Sequence, residues 1–243
     1  MIDVHTHVLP GIDDGAADLA EAVSMCRLAG DDGVETVFVT PHQRHAQWPN
    51  EDPSRLESLR QTVALAAGGR PRLLLGAEIR VDAELLDELG QPAAAGLLPL
   101  AGSRYLLLEM PGLRPRFEAR ELVREIALAG WVPLLAHPER LSWLADEPRR
   151  LAELVERGAL VQVTAGSVLG EMGPRAQECC EYLLNAGLVH FLASDAHDAA
   201  LRPPTLSTAR RFIRDGWGEE VAELLTTINP ACIISNRLLG EAA

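Results

Sequence analysis

Seven times along this chain a short apolar segment gives way to a stretch with helical spacing, and that alternation constrains the fold more than any other feature. The first apolar segment leads into His5 and His7, and the next six are Val34–Thr40, Arg72–Ala77, Tyr105–Leu108, Trp131–Ala136, Leu160–Thr164 and Val189–Ala193. Helical spacing is predicted over Ala17–Gly30, Ser54–Ala67, Val81–Leu89, Glu118–Ala129, Arg149–Arg157, Pro174–Ala186, Thr205–Asp215 and Glu219–Thr226. Strands without polar alternation are covered on both faces, and strands separated by helices pair in parallel. The expectation is therefore an α/β fold, a distorted seven-stranded β/α barrel of the TIM-barrel kind. The apolar stretch around Ile233 is expected to close its bottom. With 47% hydrophobic residues and no Gly/Ser- or Pro-rich linker, residues 1–243 are expected to form a single domain.

The metal-type residues then fall into place. His5, His7, His42, Glu78, Glu109, His137, Asp195 and His197 all lie at or just past the end of a predicted strand. Carboxylates placed for solvation would scatter over helix faces, whereas function in a β/α barrel sits where strands end. His5 and His7 are two residues apart, as are Asp195 and His197, and alternate residues of a strand share a face. His45 and His190 fall outside the set. Five imidazoles and three carboxylates exceed what one ion needs and suit two or three divalent ions sharing carboxylates. A mixed nitrogen and oxygen donor set fits Mn, Fe or Zn. The loop after His7 carries Pro10, Gly11, Asp13, Asp14 and Gly15, adding carboxylates beside a tight turn.

Several classes are excluded or disfavoured. A net charge of -13 speaks against general nucleic-acid binding, which needs a basic footprint. Phosphate chemistry in such a chain has to rest on a local positive centre, and bound metal supplies one. The apolar runs are strand-sized, so no membrane insertion is expected. The first residues lack a basic segment followed by an apolar one, which points to the cytoplasm. Cys26, Cys179, Cys180 and Cys232 form no C-x-x-C pair. The residues six beyond them are Asp32, Asn185, Ala186 and Leu238, so the Cys-to-Arg spacing of a thiolate phosphatase is absent.

The motifs Ile2-Asp-Val-His-Thr-His7, Gly11-Ile-Asp-Asp-Gly15, Thr40-Pro-His42, Gly76-Ala-Glu-Ile-Arg80, Leu135-Ala-His-Pro-Glu-Arg140, Ala165-Gly-Ser167 and Ala193-Ser-Asp-Ala-His197 resemble those of the PHP (polymerase and histidinol phosphatase) superfamily. More narrowly, the chain resembles the PHP-type bacterial protein tyrosine phosphatases of capsule and exopolysaccharide operons. Gly11–Gly15, His137–Arg140 and Arg202-Pro203 separate it from histidinol phosphatases and polymerase-associated domains. The resemblance implies a trinuclear metal site, commonly manganese, and hydrolysis of phosphotyrosine on a partner tyrosine kinase that controls polysaccharide export. It also implies that His5, His7, Glu78 and Asp195 hold one ion and that Glu78 bridges to a second with Glu109 and His137. His42 and His197 would hold the third, with Asp14 close by. Many relatives carry a second His after T-P-H, where this chain has Gln43, and the loop from Arg44 to Pro53 has no counterpart among the matched motifs.

Hydrolysis by metal-activated hydroxide assigns three further roles. Arg140 and Arg202 follow the fifth and seventh predicted strands and can fork onto phosphate oxygens. Asp14 is the candidate for protonating the leaving tyrosyl oxygen or orienting the water. A phosphatase for small phosphomonoesters such as histidinol phosphate is the alternative enzyme. A non-catalytic partner of a kinase or export complex that keeps metal only for stability is the alternative outside enzymes. Self-association into a homo-oligomer is compatible with the sequence.

Overall fold

The computed structural model describes residues 1–241 apart from 83, 86–88, 90–95 and 116. Of the helix predicted over Val81–Leu89, residues 83 and 86–88 lie outside the described residues.

Among the described residues, nine strands run in parallel in two sheets. β1 (Ile2–Thr6), β2 (Thr36–Val39) and β4 (Arg72–Leu75) form one. β3 (His42–Gln43), β5 (Glu78–Arg80), β6 (Tyr105–Glu109), β7 (Val132–Ala136), β8 (Leu160–Thr164) and β9 (Phe191–Ala193) form the other. The sequence predicted seven strands because the short β3 and β5 lie just beyond the predicted segments Val34–Thr40 and Arg72–Ala77 and were not assigned as strands. The breaks between β2 and β3 and between β4 and β5 have local causes. Pro41 has no N–H to give a ladder. At Gly76 the backbone passes so close to Leu100 that a Cβ would come within 2.7 Å of its side chain. The broken strands stay adjacent, because Gly76 N–H donates to Val39 O (2.9 Å) and Glu78 N–H to Pro41 O (3.1 Å).

The first and last strands also meet. Thr6 and Ala196 form a parallel bridge, Asp195 N–H donates to His5 O (3.0 Å), and His7 N–H donates to Ala196 O (2.8 Å). Buried Asp3 fastens the same seam from below, accepting from Ser194 N–H at 3.0 Å and Ser194 Oγ at 2.5 Å.

The helices pack outside the strands. α1 (Leu19–Asp31) starts at Asp18, whose carboxylate accepts from Glu21 N–H while Glu21 reaches back to Ala17 N–H. Ala22, Met25, Cys26 and Ala29 recur at helical spacing and are buried. α2 (Pro53–Ala66) is capped by Asp52, with Pro53 at its first turn. α3 (Ala119–Leu128), the single turn α4 (Ser142–Ala145), α5 (Arg149–Val155), the single turn α6 (Ala165–Val168) and α7 (Pro174–Asn185) follow β6, β7 and β8. Cys179 and Cys180 lie on the buried side of α7, where burial pushes the Cys179 thiol up to about 12. α8 (Ser207–Trp217) and α9 (Glu219–Glu223) come last, and a π-helical turn leads into α10 (Asn229–Ile234).

Two apolar clusters result. The larger lies between strands and helices. The smaller gathers Val4, Phe38, Tyr105, Leu107, Leu134 and Phe191 on the opposite face of the strands, with Ile233 of α10 packed into it. Among the described residues, no helix is long and apolar enough to cross a membrane.

Candidate metal centre

His5, His7, Glu109, His137, Asp195 and His197 lie at or shortly past the ends of strands, while His42 and Glu78 open the short strands β3 and β5. In β1 the pairing register with β2 slips between Asp3 and Thr6. Three steps on β1 therefore match two on β2, so Val4 and His5 together oppose Phe38. His5 and His7 thereby turn to the interior face that Val4 already occupies. His137 (φ 34°) and Asp195 (φ 52°) take the left-handed conformation, which side chains with a Cβ seldom adopt away from functional sites.

The eight expected side chains are brought together. His5, His7 and Glu78 offer ligand atoms within 4.8 Å of one another, as do His5, His137 and Asp195, and His42, Glu78 and Glu109. Asp14 joins His7, His42 and His197 in a fourth such group. Because His5, His7, His42 and Glu78 recur between groups, these form one continuous cluster. His42 groups with Glu78 and Glu109, and His137 with His5 and Asp195, although His137 Nε2 also lies 2.8 Å from Glu78 Oε1. His42 also joins His197 and Asp14, as the resemblance has it, whereas the resemblance placed His137 with Glu78 and Glu109.

Hydrogen bonds fix the tautomers. His5 Nδ1–H donates to Gln162 Oε1 (3.0 Å), His7 Nδ1–H to Asp13 Oδ2 (2.9 Å) and His197 Nδ1–H to the Asp195 carbonyl (2.9 Å). The three Nε2 atoms are left as lone pairs. His5 Nε2 and His7 Nε2 stand 3.1 Å apart, each 3.4 Å from Glu78 Oε2 and 3.4 to 3.6 Å from Asp195 Oδ1. Such a convergence of lone pairs and carboxylate oxygens repels itself unless a cation joins them. Donors about 2.1 Å from one ion are separated by roughly 3.0 to 3.4 Å. Glu78 Oε2, Asp195 Oδ1, Glu109 Oε2, His42 Nδ1 and His137 Nδ1 are moreover buried without a hydrogen-bond partner. Orphaned groups of this kind are costly in a folded interior, so the donor set fits divalent metal.

The electrostatics agree. Burial opposes charge on the His7 ring, but Asp13 and Glu78 prevail and raise its pKa to about 9. Burial likewise opposes charge on His42, and Asp14 with Glu78 raises it to about 11. Burial disfavours the Glu78 and Asp195 carboxylates, yet the fields of His5 and His137 hold both well below the usual range. Glu109 moves upward, first through burial and then through the charge of Glu78. The cluster draws positive charge to itself, whether as protons or as metal.

Arg140 and Arg202 both contact the site at Asp195. Arg140 Nη1 donates to Asp195 Oδ2 (2.5 Å), and Arg202 Nη2 donates to the same oxygen (2.6 Å) and to the Asp195 carbonyl (3.0 Å). Arg202 Nε is buried without a partner. Asp14 Oδ1 lies 3.3 Å from His42 Nε2 and 3.4 Å from His197 Nε2, on the solvent side with its side chain 43% exposed. Trp48 stacks on His42, with centroids 5.4 Å apart and planes 10° apart, so the loop without a matched motif borders the site.

Four supporting residues were not assigned roles from sequence. Asp13 orients His7 and accepts from His42 N–H (3.1 Å), Gln162 orients His5, and Asp3 ties the β1–β9 seam. Glu139 Oε1 binds Thr164 N–H (3.0 Å) and its hydroxyl. A signal existed for Asp3 and Gln162, each a polar residue inside an otherwise apolar strand.

Known proteins resemble this chain. A profile of the CpsB/CapC family, described as capsular polysaccharide synthesis, matches residues 1–235. Tyrosine-protein phosphatase YwqE of Bacillus subtilis is 35% identical over 242 residues, covering 98% of this chain and 93% of YwqE. Tyrosine-protein phosphatase CpsB of Streptococcus pneumoniae is 28% identical over 246 residues, covering 98% of this chain and all of CpsB. A chain from the crystal structures of YwqE and CpsB, described as metal-dependent tyrosine phosphatases, superposes with a TM-score of 0.90 at 33% identity, covering 98% of this chain and 96% of that one. An organophosphorus hydrolase from Deinococcus radiodurans shares the fold at a TM-score of 0.61 and 14% identity, covering 96% of this chain and 92% of its own.

Proposed function

The chain belongs to the CpsB/CapC family of capsular polysaccharide synthesis proteins, and from that membership we propose that it is a metal-dependent protein-tyrosine phosphatase. The observation that carries this reading is the 3.1 Å approach of the His5 and His7 Nε2 atoms beside the unpartnered oxygens of Glu78 and Asp195. The bonds joining β1 to the end of β9 support a single-domain, distorted (β/α)7 barrel with this cluster at its open rim.

Three divalent ions per chain suit the donor set, with manganese first and iron or zinc as alternatives. His5, His7, Glu78 and Asp195 would hold one, Glu78, Glu109 and His137 a second, and His42 and His197 the third beside Asp14. Bound ions of this kind lower the pKa of water toward ~7 and offset charge on phosphoryl oxygens.

The chain's own groups do the rest. Arg202, with Nε unpartnered, and Arg140, with its side chain 31% exposed, can turn donors toward phosphoryl oxygens while keeping Asp195 in place. Asp14 stands between two ring nitrogens and solvent, where its carboxylate orients the attacking water or exchanges a proton with the leaving oxygen. A phenol leaves with a pKa near 10, so it needs little acid assistance. The natural substrate under this reading is a phosphotyrosyl protein such as the tyrosine kinase of a capsule or exopolysaccharide system, met in the cytoplasm.

The test is a reconstitution panel. Metal-stripped protein is reloaded with Mn, Fe or Zn and assayed on p-nitrophenyl phosphate, a phosphotyrosyl peptide and histidinol phosphate, beside His7→Ala. Hydrolysis of both aryl phosphates, lost on chelation and in the variant, is expected. Equal activity of His7→Ala and wild type, or turnover of histidinol phosphate alone, would reject the reading.

A further inference from the structure

Next to the rim, a cavity of about 420 Å³ opens between the loop after β6 and the loop after β7. Arg114, Arg120, Arg149 and Arg150 stand on its walls, and Phe117 and Trp143 are among its apolar lining. Trp143 Nε1–H donates to Pro111 O (3.0 Å) and ties the two loops together. Both loops also carry site residues. Arg114 is five residues beyond Glu109 and Trp143 three beyond Arg140, so an extended backbone limits the separations to roughly 17 and 10 Å.

The charges in this groove are unevenly paired. Glu153 binds Arg120 (3.2 Å), and Glu147 binds Arg150 through both oxygens (2.9 and 3.0 Å). Neither Arg114 nor Arg149 has an ion-pair partner among the described residues, and both are exposed. Glu118 is the remaining acid on the wall. A positive surplus is therefore held at one place beside the rim, in a chain whose net charge is -13. At contact range such a surplus outweighs remote charge, which salt screens within about 10 Å.

We propose that this groove is a docking subsite for an acidic stretch of the substrate polypeptide, three to five residues along the chain from the phosphotyrosine. The inference rests on the phosphatase reading above. Arg114 and Arg149 supply the charge, while Phe117 and Trp143 give the stems of the bound residues an apolar floor. Arg recognises carboxylates through paired N–H groups, so the subsite selects acidic side chains over neutral ones. The contact forms alike before and during phosphoryl transfer, so it lowers KM and leaves kcat unchanged.

Two phosphotyrosyl peptides test this, one with three Asp or Glu residues at positions three to five from the phosphotyrosine and one with Gln or Asn there. p-Nitrophenyl phosphate serves as the common control. Wild type is expected to show about a tenfold lower KM for the acidic peptide, an advantage that shrinks as salt rises. The double variant Arg114→Glu, Arg149→Glu is expected to abolish that advantage and keep the rate on p-nitrophenyl phosphate. Equal KM values for the two peptides in wild type, or a double variant that weakens both alike, overturns the subsite. Absence of p-nitrophenyl phosphate hydrolysis in metal-loaded wild type overturns the phosphatase reading instead.

Discussion

Arg202 grips Asp195 twice, once at the carboxylate (2.6 Å to Oδ2) and once at the backbone carbonyl (3.0 Å to O). The double contact holds a residue in the left-handed conformation and leaves the other carboxylate oxygen, Oδ1, facing the histidines. Arg202→Lys keeps the charge but loses the planar fork. We expect kcat/KM on p-nitrophenyl phosphate to fall about 10- to 100-fold, with the thermal midpoint moving by only a few degrees. Unchanged kinetics would remove Arg202 from the site.

Gln162 fixes the His5 tautomer from inside β8. Partners of this kind set ligand basicity, and their loss costs roughly 10- to 100-fold in metal affinity. Gln162→Leu should show that loss in a calorimetric Mn titration, while Gln162→Glu, which keeps an acceptor, should retain most of the affinity. Equal affinity in Gln162→Leu and wild type would mean that His5 is oriented by something else.

Gly15 passes directly beneath His7, and a Cβ there would stand 2.0 Å from the His7 carbonyl oxygen. No side chain can share that space, so Gly15→Ala must displace the loop or the ligand. The expected result is a stability loss of about 2 kcal/mol together with substoichiometric metal by elemental analysis. Full occupancy at wild-type stability would contradict it.

His190 lies outside the metal cluster and its Nδ1 accepts from Val161 N–H (3.1 Å), a contact that a protonated Nδ1 cannot make. Burial lowers its pKa from 6.5 to about 4. The unfolded chain therefore binds a proton that the folded chain refuses. Stability is complete above pH 6.5 and declines as pH falls from about 6.5 toward about 4, at up to ~1.4 kcal/mol per pH unit. Denaturant titrations at pH 7.5 and 5 should show a smaller pH dependence in His190→Asn than in wild type, and identical slopes would count against the assignment.

The alternation of apolar strands with helices, and the clustering of His, Asp and Glu at strand ends, were legible because both depend on residues close in sequence. The breaks in β2–β3 and β4–β5 were less so. Pro41 is visible in the sequence, but the need for Gly76 comes from Leu100, which only the folded chain brings near. The extra residue in β1, which turns His5 inward, leaves no mark in residue type, and His137 and Asp195, though of types that tolerate the left-handed turn, are not singled out for it by their neighbours. The sequence placed Arg140 and Arg202 toward phosphate and did not reveal their shared hold on Asp195, a contact between residues 55 and 7 positions apart.

The seam between β1 and the end of β9 has a consequence for biosynthesis. His5 and His7 are made about 190 residues before Asp195 and His197, which complete their surroundings. Until those two residues are made, the cluster of donors around His5 and His7 is incomplete. An ion that needs the whole cluster would be captured late, and a truncated product ending before Ser194 would lack two of its donors.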